Sequence, residues 1–115
     1  MFIVFVSLVI HSNHNIMKKL FFELGTLSAG IKAVHKSLQS GEHWTTSPLS
    51  EALYSFTDFT NDEYETFDAN TSEFCLEISE ELNNAAHSMN DGDTVHTMRL
   101  LERIDLNIFD FVSSH

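Results

Sequence analysis

The side chains with the most chemical potential are carboxylates. From Thr60 to Leu82 the sequence reads TNDEYETFDANTSEFCLEISEEL, with eight acids and no Lys or Arg. Carboxylates can serve as general acids and bases, but only in a cleft that perturbs them. The spacing here points elsewhere. With Phe74 at zero on a wheel of about 100° per residue, Phe67, Thr71, Ile78, Leu82 and Ala85 fall within roughly 80° of it. Asp62, Glu73, Glu77 and Glu80 fall at about 240–300°, on the side turned away from the core. Glu73 and Glu77 stand one turn apart, as do Glu77 and Glu81, and each like-charged pair costs a few tenths of a kcal/mol. One Lys would relieve the repulsion, and none is present.

The chemistry expected of such a ridge is electrostatic. It can steer and bind a basic cleft, or imitate the closely spaced charges of a nucleic-acid backbone. Large aromatics dominate binding energy at such surfaces. Tyr64, Phe59 and Trp44 are the aromatics placed to contribute, with core or loop packing as the rival role of each. The expected partner-binding set is Asp62, Tyr64, Glu73, Glu77 and Glu80. A purely solubilising surface is the competing reading, since acidic faces raise solubility.

Other reactive residues form no recognisable constellation. Metal sites in helical bundles use Glu-x-x-His pairs from two helices, and no such pair occurs among the seven His. Asp93 and His96 have that spacing, but Asp93 is better used as a helix cap. His35 and His87 read as surface or core-edge residues. Cys75 falls on the apolar side of the acidic helix, and acid neighbours raise a thiol's pKa, so it is expected as a small core residue. There is no Gly-rich phosphate loop, nucleophile elbow or Arg cluster. No catalytic residue, cofactor or metal is expected, and an enzyme is the least favoured class.

The elements that must carry the ridge are helices. The 115 residues suit a single domain, numbered 1–115, able to bury a core of its own. Four Gly and one Pro favour long helices over a turn-rich β-fold. From Met17, apolar residues recur at three- and four-residue steps: Leu20, Phe21, Leu24, Leu27, Ile31, Val34 and Leu38. Gly41 supplies a stop, and Gly25 and Gly30 mark a close helix approach or a kink. Ser47 and Pro48 start a short second helix with Leu49, Ala52, Leu53 and Phe56 on its apolar face.

The third element has two candidate starts, Thr60 with Glu63 and Asn70 with Glu73. It is therefore one long helix or two, broken near Asp68–Thr71. Its core face reads Tyr64, Phe67, Thr71, Phe74, Cys75, Ile78, Leu82, Ala85 and Met89. Asp93 or Thr94 caps the last helix, whose stripe is Val95, Met98, Leu101, Ile104, Ile108, Phe111 and Val112. The fold class expected is all-α: an antiparallel bundle of about four helices with short loops. Leu24, Ile31, Phe56, Phe74, Ile78, Met98, Leu101 and Ile104 are expected to share one core.

The first sixteen residues stand apart as an apolar N-terminal segment, with 17–115 as the bundle. The run MFIVFVSLVI is too short to span a bilayer as a helix and lacks the basic start and cleavage site of a signal peptide. It suits a buried strand or a capping segment over the core. The alternative is a natural start at Met17.

Charge sets the functional expectation. The net charge is −11, which disfavours direct nucleic-acid or anionic-membrane ligands and favours a basic protein partner. All six bases lie at Lys18, Lys19, Lys32, Lys36, Arg99 and Arg103, whereas 13 acids and no base lie from Glu42 to Asp93. One Cys excludes an internal disulfide and suits a reducing, cytoplasmic setting.

In this charge pattern the chain resembles small acidic bacterial proteins that neutralise basic toxins, and acidic phage proteins that block nucleic-acid-handling enzymes. The leading expectation is an immunity or antitoxin-type protein that occludes the active site of a basic nuclease toxin. The alternatives are a nucleic-acid-mimicking phage inhibitor of a host defence enzyme, or a structural or assembly subunit. Homo-oligomerisation is left open by the sequence.

Overall fold

The computed structural model describes the backbone of residues 2–40 and 47–115, and the side chains of 16–40 and 49–115. Helix α1 spans Phe2–Ser40, α2 Ser47–Asp62, α3 Ala69–Asn90 and α4 Thr94–Ser113. A single 3-10 turn, Tyr64–Thr66, links α2 to α3. No strand occurs among the described residues.

The helices run up and down in turn. The α1–α2 pairing brings Glu23 beside Ser55 and Gly30 beside Leu49, so the two are antiparallel. Ser28 meets Asp105 and His35 meets Glu102 across α1 and α4. Phe74 stacks on Phe111, and Glu81 lies near Arg103, across α3 and α4. The α2–α3 seam is the loosest of the four.

One core fills the bundle. It takes Leu20, Leu24, Leu27, Ile31 and Val34 from α1, and Leu49, Ala52 and Phe56 from α2. Cys75, Ile78, Leu82 and Ala85 come from α3, and Leu100, Leu101, Ile104 and Ile108 from α4. These are three- and four-residue repeats, as the periodicity requires. Burying each large member fully is worth about 1.5–3 kcal/mol.

Several expectations need correction. The apolar run is helical from Phe2 rather than a strand, so α1 begins ahead of the expected start at Met17. No Gly or Pro interrupts the chain between Phe2 and Leu24, so nothing stops α1 from extending through the run. The α2 helix is not short, because Thr60 does not start a new helix. Thr60 lies inside α2 and its hydroxyl donates to the Thr57 carbonyl. Nor does Asn70 cap α3. Asp68 does, with an extended backbone and a carboxylate that accepts the Thr71 N–H at 2.7 Å. Of the two arrangements, the broken one is therefore found.

Phe74 and Met98 are half-buried at the edge of the core rather than inside it. Val95 and Val112 are exposed, and Thr97 occupies the buried position near the start of α4. Gly30 makes the close approach: a Cβ there would stand 3.1 Å from the Leu49 Cα. Gly25 does not, since a Cβ there meets nothing within 4 Å. The Gly41 stop and Trp44 lie outside the described residues.

The turn between α3 and α4 is fixed by polar contacts. Asp93 caps α4, its carboxylate accepting the His96 N–H at 3.1 Å. The Thr97 hydroxyl donates to the Asp93 carbonyl at 2.7 Å, with Ser88 Oγ 2.9 Å away. Gly92 carries the positive φ, +81°, that this tight connection needs.

Candidate protein-binding surface

The five residues that sequence grouped on one surface come from three elements. Asp62 is the last residue of α2, Tyr64 opens the 3-10 turn, and Glu73, Glu77 and Glu80 lie on α3. All five are exposed, Tyr64 by 67%. Tyr64 is thus off the core face on which its spacing placed it. The chain turns at Glu63–Phe67, so α2's register does not continue into α3.

Two grooves flank the outer face of α3. The first, about 520 Å³, lies between α2 and α3 and is lined by Thr57, Thr60, Tyr64, Phe67, Glu73 and Leu76 among others. It brings Tyr64 and Glu73 together. The second, about 440 Å³, lies between α3 and α4 and brings Glu77 beside Glu81, Phe74 and Asp110. Asp62 and Glu80 line neither groove.

Leu76 is the residue that sequence reasoning missed. It is 62% exposed, three residues after Glu73 and four before Glu80. Its wheel position, opposite the core, was the available signal: an apolar side chain on an acidic face. Phe59, by contrast, is half-buried, and its ring packs edge-on to Phe67 at 6.0 Å. It joins α2 to the turn rather than facing a partner.

Neutralisation is sparse. The span from α2 through α3 carries ten carboxylates and no Lys or Arg. Among the described residues, only Glu81 of these pairs with a Lys or Arg, Arg103 at 3.9 Å. Its other oxygen, Oε2, is buried without a hydrogen-bond partner. The Lys32–Asp105 ion pair and the His35–Glu102 hydrogen bond join α1 to α4 on the far side.

Two titrating groups are shifted. The Thr71 backbone N–H, then the Thr71 hydroxyl, holds the Asp68 carboxyl below its usual range. Burial pushes the Cys75 thiol up to about 11, so it stays protonated at neutral pH and is a poor nucleophile. No cluster of three metal-ligating side chains occurs among the described residues. None of their helices is long and apolar enough to cross a membrane. What the surface offers chemically is unpaired negative charge around two apolar side chains, Tyr64 and Leu76. Comparison with known proteins finds no matching family model, curated protein or solved structure.

Proposed function

We propose that this chain is an acidic protein-binding inhibitor of the immunity or antitoxin type. It would work in the cytoplasm and neutralise a basic nuclease toxin by covering its nucleic-acid-binding active site. One observation carries the reading: ten carboxylates from α2 through α3 have almost no basic partner, and the same span exposes Tyr64 and Leu76, which share a groove with Glu73. A cleft that binds nucleic acid is lined with Lys and Arg. The acids would speed encounter with such a cleft, and the two apolar side chains would hold the complex once formed.

Affinity capture from lysate tests this directly. The expected product is a basic protein whose nuclease activity falls to background at a stoichiometric amount of this chain. Capture of a basic protein without nuclease activity would remove the toxin assignment and leave the binding surface. Capture of no basic protein would leave the acids as a solubilising face.

A further inference from the structure

The opposite side of the bundle differs in both charge and texture. Helix α1 carries four Lys and one Glu, and α4 carries two Arg and three carboxylates. Between them runs a groove of about 530 Å³, lined by Phe21, Gly25, Leu106, Phe109 and Val112 among others. Gly25 leaves a notch in its wall, because a Cβ there meets nothing. Three apolar side chains that line the groove stand open, Phe109 by 66%, Leu106 by 59% and Val112 by 37%, and Phe22, next along α1 from the lining residue Phe21, is 72% exposed. Together they leave roughly 400 Å² of apolar side chain exposed, on a scale of 150–250 Å² for one aromatic. That matches the largest patch of a typical monomer, and such patches are often functional.

We propose that this α1–α4 face binds a second copy of the chain in a two-fold symmetric dimer. Area supports it. Two copies would hide about 800 Å² of these four side chains, which at the roughly 65% apolar share of homodimer interfaces implies about 1,200 Å² in all. That is the lower end of specific interfaces.

Charge selects both the face and the symmetry axis. A chain of net charge −11 repels its own copy strongly wherever α2 and α3 would meet. Only a two-fold axis parallel to the helices sets each α1 opposite the partner's α4. Lys32 of α1 is level with Glu102 and Asp105, as its 3.9 Å approach to its own Asp105 shows. The axis therefore sets Lys32 against the same two acids of the second copy. An axis across the helices would instead oppose the two lysine-rich α1 faces. The favoured arrangement leaves both acidic surfaces pointing outward, so a dimer could hold two basic partners at once.

Sedimentation equilibrium of the full chain at micromolar concentration tests this, beside the L106E/F109E variant and a control, Y54E. Tyr54 is 74% exposed on α2. All three substituted positions are exposed, and circular-dichroism melts check that each variant folds. The parent and Y54E are expected at about twice 13.1 kDa. L106E/F109E is expected at 13.1 kDa with a cooperative helical melt, lowered only by the lost association, and undiminished binding to the captured basic partner. That last readout separates this proposal from the inhibitor reading, which concerns the other face. A monomeric parent overturns the dimer and leaves the patch to a different protein. A dimer that survives L106E/F109E, or dissolves in Y54E, overturns the assignment of this face.

Discussion

At the scale of single residues, burial decides chemistry. Cys75 is on the core side of α3, and its thiol is pushed up to about 11 by loss of solvent. The neutral thiol is favoured in the folded protein. Its contribution to stability is therefore complete below the unfolded thiol's pKa and is lost as pH rises through about 11. Thermal melts of the parent should fall more steeply than those of Cys75→Ala between pH 9 and 11. Parallel curves would contradict the buried thiol. Asp68 works in the other direction. Its hydrogen bonds to Thr71 favour the charged form, so its contribution is present above the unfolded carboxyl's pKa and lost as pH falls through the lower folded value.

The two helical glycines of α1 make a paired test. Gly25→Ala enters open space and should stabilise by about 1 kcal/mol, the intrinsic helix preference of Ala over Gly. Gly30→Ala gains the same propensity but presses a methyl group against the Leu49 backbone at 3.1 Å. Backbone there cannot swing aside as a side-chain tip can, so the melt of Gly30→Ala should lie below that of Gly25→Ala. Equal gains would contradict the close approach of α2.

At the scale of elements, regular periodicity was legible and junctions were not. The stripe of α1 from Leu20 to Val34 and the α3 set Cys75, Ile78, Leu82 and Ala85 were readable because one apolar face per helix must be buried. The α2–α3 junction was harder. TNDE, DANT and NTSE all carry capping chemistry, and which is used depends on where the chain can turn over the bundle end. Asp68 wins because its carboxylate reaches the Thr71 N–H while its backbone is extended. Tyr64 was misplaced for the same reason, since a helical register was carried across a turn. Glu73, Glu77 and Glu80 were placed well, because they fall within one uninterrupted helix.

The N-terminal half of α1 supplies another prediction. Glu23 is level with Ser55, and α2 ends seven residues later, level with Ile16. Asp105 is level with Ser28, and α4 ends level with Leu20. The backbone of residues 2–15 thus runs past the ends of its neighbours, and the 60 Å length of the molecule matches a 39-residue helix of about 58 Å. Deleting residues 1–15 should leave a cooperative helical melt with its midpoint near the parent's. A large drop would show that this segment supports the core.

At the scale of the whole molecule, charge is divided between two sides. The six bases lie on α1 and α4, and the ten carboxylates from Glu51 to Glu81 lie from α2 through α3. A face evolved only for solubility would gain from Lys between Glu73, Glu77 and Glu81, by a few tenths of a kcal/mol per relieved pair. The division instead leaves one acidic surface with two apolar anchors and an opposite apolar patch.

The central claim is that the acidic surface binds a basic partner. The most direct measurement is a titration of the captured partner with the parent and with E73Q/E77Q/E80Q, at low and at moderate salt. Exposed charges mainly set the encounter rate, so association with the parent should slow as salt rises. The triple variant should bind more weakly and respond less to salt, while melting at or slightly above the parent's temperature because repulsion on α3 is removed. A triple variant that binds as tightly as the parent, with the same salt dependence, would contradict the claim and leave the ridge as a solvated face.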